Sequence, residues 1–246
     1  MHRFFVTPEN IQEDTITIEG DDFVHLTRVL RIGDQEVFEV CDGRGTDYHC
    51  VIGQRDKDFL TAKILEKMPA RGEAPFHLTL FQGLPKGHKF DEIIQKGTEV
   101  GISAFVPFQS SRAVATVRGK ENKKRERWQR IAYEAAKQSK RGIIPPVGAP
   151  LASLSAVLDQ FGDYDLILLA YEGEREGSLK QALTGAGPER PERIALIVGP
   201  EGGFSPEEAA ACTAAGAISV SLGTRILRTE TAGVVMAAQV DFFYEQ

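Results

Sequence analysis

Over the first seventy residues apolar and polar side chains alternate in short runs. RFFV (3–6), TITI (15–18), VFEV (37–40), HCVIG (49–53) and LTAKILE (60–66) predict strands, separated by the turn sequences GDQ, DGRG and QRDKD. One segment breaks the alternation: DDFVHLTRVL (21–30), with an Asp-rich start, predicts a helical insert. Strands this short and closely spaced predict a small β-barrel over residues 1–70. Met68-Pro69-Ala70-Arg71-Gly72, with a proline, a glycine and no periodicity, reads as a linker.

From residue 74 to 246 the pattern changes to strand and helix in turn. FHLTLFQGL (76–84) predicts a strand and KFDEIIQKGTEVG (89–101) a helix stopped by Gly101. AFVPF (104–108) is a strand, 121–139 a helix, and LASLSAVLDQF (151–161) a helix before the strand DLILLA (165–170). SLKQAL (178–183), RIALIVG (193–199), PEEAAACTAAG (206–216) and ISVSLG (218–223) continue the alternation, and AGVVMAAQVDFFYE (232–245) closes it as a helix. This order predicts an α/β domain with a mostly parallel sheet. In the closing helix Val235, Ala238 and Phe242 share a face, which suits either the core or a second copy of the chain.

Charge adds a division that hydropathy does not show. The 246 residues carry 29 Lys+Arg and 35 Asp+Glu, net −6, a balance that alone argues against a nucleic-acid partner. Yet residues 1–70 hold 8 basic and 14 acidic residues, 71–150 hold 15 and 7, and 151–246 hold 6 and 14. The basic excess concentrates between Arg112 and Arg141, with 11 Lys/Arg against 3 Glu. At about 100° per residue, Lys123, Arg127, Arg130, Lys137 and Arg141 fall within about 40° of one line. Trp128, Ile131, Ala132 and Ala135 gather on another side. A solvated charged face is the plainer explanation. A one-signed stripe in an acidic chain favours phosphate binding, since like charges along a helix face repel. Glu134 lies within the stripe, as an ion-pair partner of its neighbours or as a catalytic carboxylate.

Other classes are excluded more simply. MHRFFVTPEN lacks the apolar run of a secretory leader, and no window reaches the ~18 apolar residues of a membrane span. Cys41, Cys50 and Cys212 show no CxxC spacing, and His49 beside Cys50, Cys41 and Asp47 reads as hairpin alternation and not as a metal cluster. A cytoplasmic location and no metal are expected.

Two loops carry chemistry. Gly199-Pro200-Glu201-Gly202-Gly203-Phe204-Ser205-Pro206-Glu207-Glu208 leaves an apolar strand and opens a helix. Ser205 and Glu208 have capping-box spacing, and the glycines let backbone groups approach a ligand. The spacing is neither GxGxxG nor GxxxxGK[ST], so a dinucleotide or ATP site is not indicated. Ser221-Leu222-Gly223-Thr224-Arg225-Ile226-Leu227-Arg228-Thr229-Glu230-Thr231-Ala232 turns the last strand into the closing helix. Either loop alone suits a plain structural turn. Together, at the carboxyl ends of sheet strands, they mark the edge where open α/β folds bind ligands.

GPEGGF followed by LGTRILRTETA resembles the ribosomal small subunit methyltransferase E family of the SPOUT superfamily. HLTRVLR, GLPKGHKFDEIIQKGTEVG, SSRAV and YEAAKQSKR resemble the same family, so the likeness covers nearly the whole chain. It implies a PUA-like RNA-binding β-barrel before a SPOUT-type α/β domain, with a trefoil knot and cofactor site at about 166–246. It also implies a homodimer that methylates N3 of one uridine in 16S rRNA of the small ribosomal subunit with S-adenosylmethionine. The cofactor residues expected on this basis are Leu169, Ala170, Gly199, Pro200, Glu201, Gly203, Leu222, Gly223, Ile226, Leu227 and Thr231.

Methylating N3 requires loss of its weakly acidic proton. A carboxylate to accept it and an arginine to stabilise charge on the carbonyls are therefore sought. Arg228 and Glu230 are the first candidates, then Arg112, Glu134 and Arg141. RNA contacts are expected at Lys86, Lys123, Arg127, Arg130 and Lys137. His25, Arg28 and Arg31 either touch RNA or serve as a helix cap and surface charges. The rival readings are a ribose 2′-O-methyltransferase of the same superfamily and a non-catalytic rRNA-binding assembly factor. The first typically carries loop asparagines, and only Asn10 and Asn122 occur here. The second would not need both loops intact.

Overall fold

The computed structural model describes residues 2–113, 121–187 and 189–244. Val114 of the SSRAV stretch and Arg118 and Lys120 of the basic segment lie outside the described residues. The chain forms two compact units, residues 1–73 with 136–144 and residues 74–135 with 145–246.

The first unit contains β1 (Arg3–Phe5), β2 (Thr15–Glu19), α1 (Gly20–Val24), β3 (Phe38–Cys41), β4 (Thr46–Arg55) and β5 (Phe59–Pro69). One π turn over His25–Val29 continues α1, and the left-handed φ of 53° at Arg31 ends the insert. The strands form a sheet in the order β1-β3-β4-β5-β2, antiparallel except for the β1–β3 pair. Its edge strands share one core: Phe4 of β1 and Ile16 and Ile18 of β2 pack with Leu26, Phe38, Val40 and Leu60. The sheet therefore curls around its apolar face, as the period-two alternation predicts.

The sequence pattern does not assign residues 136–144 to this unit. Glu73 holds them there: its Oε1 accepts from the N–H groups of Gly142 (2.9 Å) and Ile143 (3.0 Å), and its Oε2 pairs with Arg141 (2.6 Å). Arg3 reaches Asp47 (2.7 Å) and the carbonyl of Arg141 (3.1 Å).

The second unit contains β6 (His77–Gly83), α2 (Lys89–Glu99), β7 (Ala104–Phe108), α3 (Glu121–Ser139, whose last turn belongs to the first unit), α4 (Ser155–Leu158), β8 (Leu166–Ala170), α5 (Leu179–Gly185), β9 (Arg193–Val198), α6 (Pro206–Ala214), β10 (Ile218–Val220) and α7 (Thr229–Tyr244). The sheet runs β10-β8-β9-β6-β7 with every pair parallel. Its strands are apolar on both sides because each side meets a core. Leu166, Leu168, Ile194 and Leu196 enter one core, and Ile167, Leu169, Ala195 and Ile197 the other.

Two elements differ from expectation. The helix expected over 151–161 shrinks to Ser155–Leu158, because Leu151 is recruited beside β7: its N–H donates to the Pro107 carbonyl (2.9 Å) and its carbonyl accepts from Gln109 N–H (3.0 Å). The closing helix starts earlier, at Thr229. Its core face is Ala232, Gly233, Met236, Ala237 and Val240, which leaves Ala238 and Phe242 exposed.

Candidate active site

Because the second sheet is parallel throughout, the loops after β6, β8, β9 and β10 leave from one edge. The loop after β9 lies tightly against the end of β6. A Cβ placed on Gly83 would stand 2.6 Å from Pro200 Cδ and 2.7 Å from Pro200 N, so only glycine fits. Within the loop, a Cβ on Gly199 would meet the Gly203 carbonyl carbon at 3.1 Å, and Gly203 itself takes φ +62°. Glycines at these positions bring bare backbone to the strand edge. Ser205 and Glu208 form the expected reciprocal capping box at the start of α6.

A buried polar junction fixes this backbone. Gln82 Nε2 donates to the carbonyls of Gly83 (3.0 Å) and Gly199 (3.1 Å) and to Thr229 Oγ1 (2.9 Å). The Thr229 hydroxyl in turn donates to the Gly199 carbonyl at 2.6 Å. Gln82 Oε1 is buried with no hydrogen-bond partner among the described residues.

Charges gather beside it. Lys89 Nζ lies 3.0 Å from Glu201 Oε1 and 3.6 Å from Glu230 Oε2, and the Lys86 N–H donates to Glu201 at 3.0 Å. Burial alone would push the Glu201 carboxyl up. Its own N–H, the Lys89 ammonium and the Lys86 N–H outweigh this and hold it below the ordinary carboxylate value. The hydrogen bond to Glu201 and the charges of Glu201 and Glu230 raise Lys89. The Glu230 side chain is only 13% exposed, and among the described residues its Oε2 has no hydrogen-bond partner closer than the Lys89 ammonium at 3.6 Å. Arg228, at 84% exposure, brings Nη1 to 4.0 Å from Glu230 Oε1. Arg112 donates to the Gly202 carbonyl at 3.2 Å, and its backbone packs over Gly202. Ser111 N–H donates to Glu208 at 2.8 Å, which ties the loop after β7 to the same edge.

The third wall of the edge is the loop after β8. Glu174 accepts from the N–H groups of Arg175 (3.0 Å), Glu176 (2.9 Å) and Gly177 (2.9 Å). The N–H groups of Gly177 and Glu176 and the Ser219 hydroxyl lower its carboxyl to about 2. Glu172 reaches toward Gly203, its Oε1 3.2 Å from where a Cβ would sit.

The expected cofactor residues fall on these loops with one division. Leu169 is fully buried beneath the edge, Ala170 ends β8, and Gly199 and Pro200 are buried in the cradle. Leu222 and Leu227 pack against the core, whereas Ile226 is 85% exposed. Gly223, at φ +114°, and Thr231 are exposed.

Arg112, Arg228 and Glu230 are brought together with the cradle. Glu134 is exposed on α3. Arg141 does not continue the basic stripe: Lys140 takes φ 60° and ends α3, and Arg141 turns into the first unit, buried against Glu73. Within the stripe, Arg127 pairs with Asp91 and contacts His88 (3.0 Å), and Lys137 pairs with Asp22 (2.7 Å). Lys123 and Arg130 are exposed and have no ion-pair partner among the described residues. Arg130 lines a hollow of about 640 Å³ with Asn122, Arg125, Glu126, Gln129 and Tyr133. The Lys86 side chain is exposed. His25 and Phe4 pack edge to face, while Arg28 and Arg31 are exposed.

Gln82, Lys89 and Thr229 escape the sequence reading. Gln82 had a legible signal, as the polar residue near the end of the apolar run FHLTLFQGL. The three cysteines are buried thiols, and burial pushes Cys41 and Cys50 up to about 12 and Cys212 to about 11. Among the described residues no three His, Cys, Asp or Glu side chains gather as metal ligands, and no helix is long and apolar enough to cross a membrane.

Comparison with known proteins identifies relatives over nearly the whole chain. The RNA methyltransferase domain family matches residues 72–241, and the RNA methyltransferase PUA domain family matches residues 18–65. The ribosomal RNA small subunit methyltransferase E of Bacillus subtilis is 34% identical, over 98% of this chain and 96% of that protein. The protein of the same name from Synechocystis is 38% identical, over 99% and 78%. The crystal structure of ribosomal RNA small subunit methyltransferase E from Neisseria gonorrhoeae bound to S-adenosyl methionine superposes with a TM-score of 0.82 at 29% identity, covering 99% of this chain and 98% of that one. The fold is a PUA-like β domain followed by an α/β RNA methyltransferase domain. With both domains matched and full-length relatives at this identity, the chain belongs to the ribosomal RNA small subunit methyltransferase E family.

Proposed function

We propose that this protein transfers the methyl group of S-adenosylmethionine to N3 of a uridine in 16S rRNA. The observation that carries the reading is the glycine cradle of residues 199–203, pressed onto Gly83 and fixed by Gln82 and Thr229, with Glu230 and two arginines beside it. The cradle suits S-adenosylmethionine, because backbone groups and the half-buried Leu222 and Leu227 offer polar and apolar contacts without a Cβ in the way. When bound, the cofactor supplies a methyl group on a sulfonium that is already an activated leaving group.

The chain's own residues do the rest. Glu230 Oε2, shielded and held 3.6 Å from the Lys89 ammonium, accepts the N3 proton. Arg228 and Arg112 stabilise the charge that develops on the uracil carbonyls. Arg141 is occupied by Glu73 and takes no part, and Glu134 belongs to the exposed face of α3. The cofactor contacts are Leu169, Ala170, Gly199, Pro200, Glu201, Gly203, Leu222, Gly223, Leu227 and Thr231. Exposed Ile226 serves the RNA side of the loop.

Binding of the rRNA falls to Lys123, Arg130 and Lys86, with Arg125 and Tyr133 offering planar faces on which an unpaired base stacks. The exposed Arg28 and Arg31 serve the same role in the first unit. The C-terminal part of the second unit takes the family's trefoil path, a reading supported by β10 at the sheet edge beyond β8 and by α7 packing back on β9, β6 and α2. The chain acts in the cytoplasm as a homodimer, with Phe242, 71% exposed on α7, in the shared face.

Incubation with methyl-labelled S-adenosylmethionine and small ribosomal particles tests the activity. Label is expected in 16S rRNA, with a loss of about 100-fold or more in Glu230→Gln. Full activity in Glu230→Gln removes the assigned base.

A further inference from the structure

Lys89 stands between two carboxylates from opposite sides of the site. Its ammonium lies 3.0 Å from Glu201 Oε1 in the loop after β9 and 3.6 Å from Glu230 Oε2 at the start of α7. Lys89 is the first residue of α2, a half-buried position from which its side chain reaches both loops. The Lys86 N–H holds the same Glu201 carboxylate at 3.0 Å and 3.3 Å from its two oxygens, so Glu201 cannot follow Lys89 elsewhere without giving up those bonds.

We infer that Lys89 is a positioning residue for methyl transfer, coupling the cradle loop to the Glu230 carboxylate. The inference rests on the reading of Glu230 as the proton acceptor. Three charged groups face Glu230 or its partner: Lys89 from α2, Glu201 from the loop after β9, acting through Lys89, and Arg228 from the preceding loop, at 4.0 Å. Arg228 is largely in water, so its attraction is screened and its side chain is free to swing toward RNA. Lys89 is the better shielded of the two cations, and among the described residues Glu230 Oε2 has no hydrogen-bond partner closer than its ammonium at 3.6 Å.

Three consequences follow. Without the ammonium, Glu230 loses the partner that aims its Oε2, and the barrier to N3 deprotonation rises. The cradle keeps its glycines, its Gln82–Thr229 junction and the Lys86 N–H on Glu201, so cofactor affinity changes little. A longer cation that still spans both carboxylates restores the function.

The experiment uses the full-length protein with labelled S-adenosylmethionine and small ribosomal particles. It compares wild type, Lys89→Met, Lys89→Arg, Glu230→Gln and the Lys89→Met/Glu230→Gln double variant. Lys89→Met is expected to lower kcat at least tenfold while KM for S-adenosylmethionine changes less than threefold, and Lys89→Arg to recover most of the rate. The double variant is expected to be no slower than Glu230→Gln alone, since residues that act as one unit are not additive. A parallel rise in KM with unchanged kcat, failure of arginine to rescue, or additive losses in the double variant would overturn the coupling while leaving Glu230 as the base. An active Glu230→Gln enzyme overturns both readings together.

Discussion

The hydroxyl of Thr229, the first residue of α7, donates a 2.6 Å hydrogen bond to the carbonyl of Gly199, the first residue of the cradle loop. The same hydroxyl accepts from Gln82 Nε2 at 2.9 Å, so the start of one helix, the end of β6 and the loop after β9 meet at a single buried side chain. Thr229→Val keeps the shape and removes both bonds. The expected cost is about 1–2 kcal/mol, read as a fall of a few degrees in Tm, with weaker binding of S-adenosylmethionine by calorimetry. Unchanged affinity would show that the cradle is held by other means.

The close contact between Gly83 and Pro200 gives a second expectation. Gly83→Ala would place a methyl carbon 2.6 Å from Pro200 Cδ and 2.7 Å from a backbone nitrogen, which cannot swing away as a side chain tip can. Displacing the loop should cost about 1–3 kcal/mol and weaken cofactor binding. Gly33→Ala is the control, because nothing lies within 4 Å of its added carbon. Equal behaviour of the two variants in thermal unfolding and calorimetry would contradict the cradle.

The basic face of α3 predicts a graded salt response. Lys123 and Arg130 are exposed, whereas Lys137 is held by Asp22 and Arg127 by Asp91. Replacing Lys123 or Arg130 with Gln should reduce the slope of log affinity against log salt by about one each. Lys137→Gln should change it less. Filter binding to 16S rRNA between low and moderate salt measures this, and identical slopes in all variants would remove α3 from the RNA surface.

Glu174 supplies a pH test. The N–H groups of Gly177 and Glu176, the Ser219 hydroxyl and the N–H of Arg175 favour its ionised form and bring its carboxyl from the ordinary 4.5 to about 2. A carboxyl lowered on folding stabilises above its unfolded value, and that contribution fades as pH drops from about 4.5 toward about 2. A carbon-13 titration of the Glu174 carboxyl should have its midpoint near 2. Glu174→Gln should speed amide exchange at Glu176 and Gly177 at neutral pH. A midpoint near 4.5 would mean that the loop after β8 is not closed around this side chain in solution.

Much of this site was readable because its signals are local. Ser205 and Glu208 lie three residues apart and cap α6 as their spacing implies. The apolar runs LILL and IALIV mark strands buried on both sides, and the glycines of 199–203 mark where backbone must come close. What escaped depends on partners far along the chain. Arg141 lies on the basic line of an ideal helix, yet it is turned by Lys140 and captured by Glu73, 68 residues away. Leu151 has helical surroundings and is claimed by the edge of β7. Lys89 reads as a surface cation at a helix start until folding brings Glu201 and Glu230 to it. In each case tertiary contact overrides a local preference.

The central claim concerns the atom that receives the methyl group. The most direct measurement is nucleoside mass spectrometry of 16S rRNA after reaction of the purified protein with S-adenosylmethionine and small ribosomal particles. The account predicts one new modified nucleoside, a uridine carrying the methyl on base nitrogen N3, formed by the wild type and strongly reduced in Glu230→Gln. A methyl group on ribose, or no modified nucleoside at all, would contradict it.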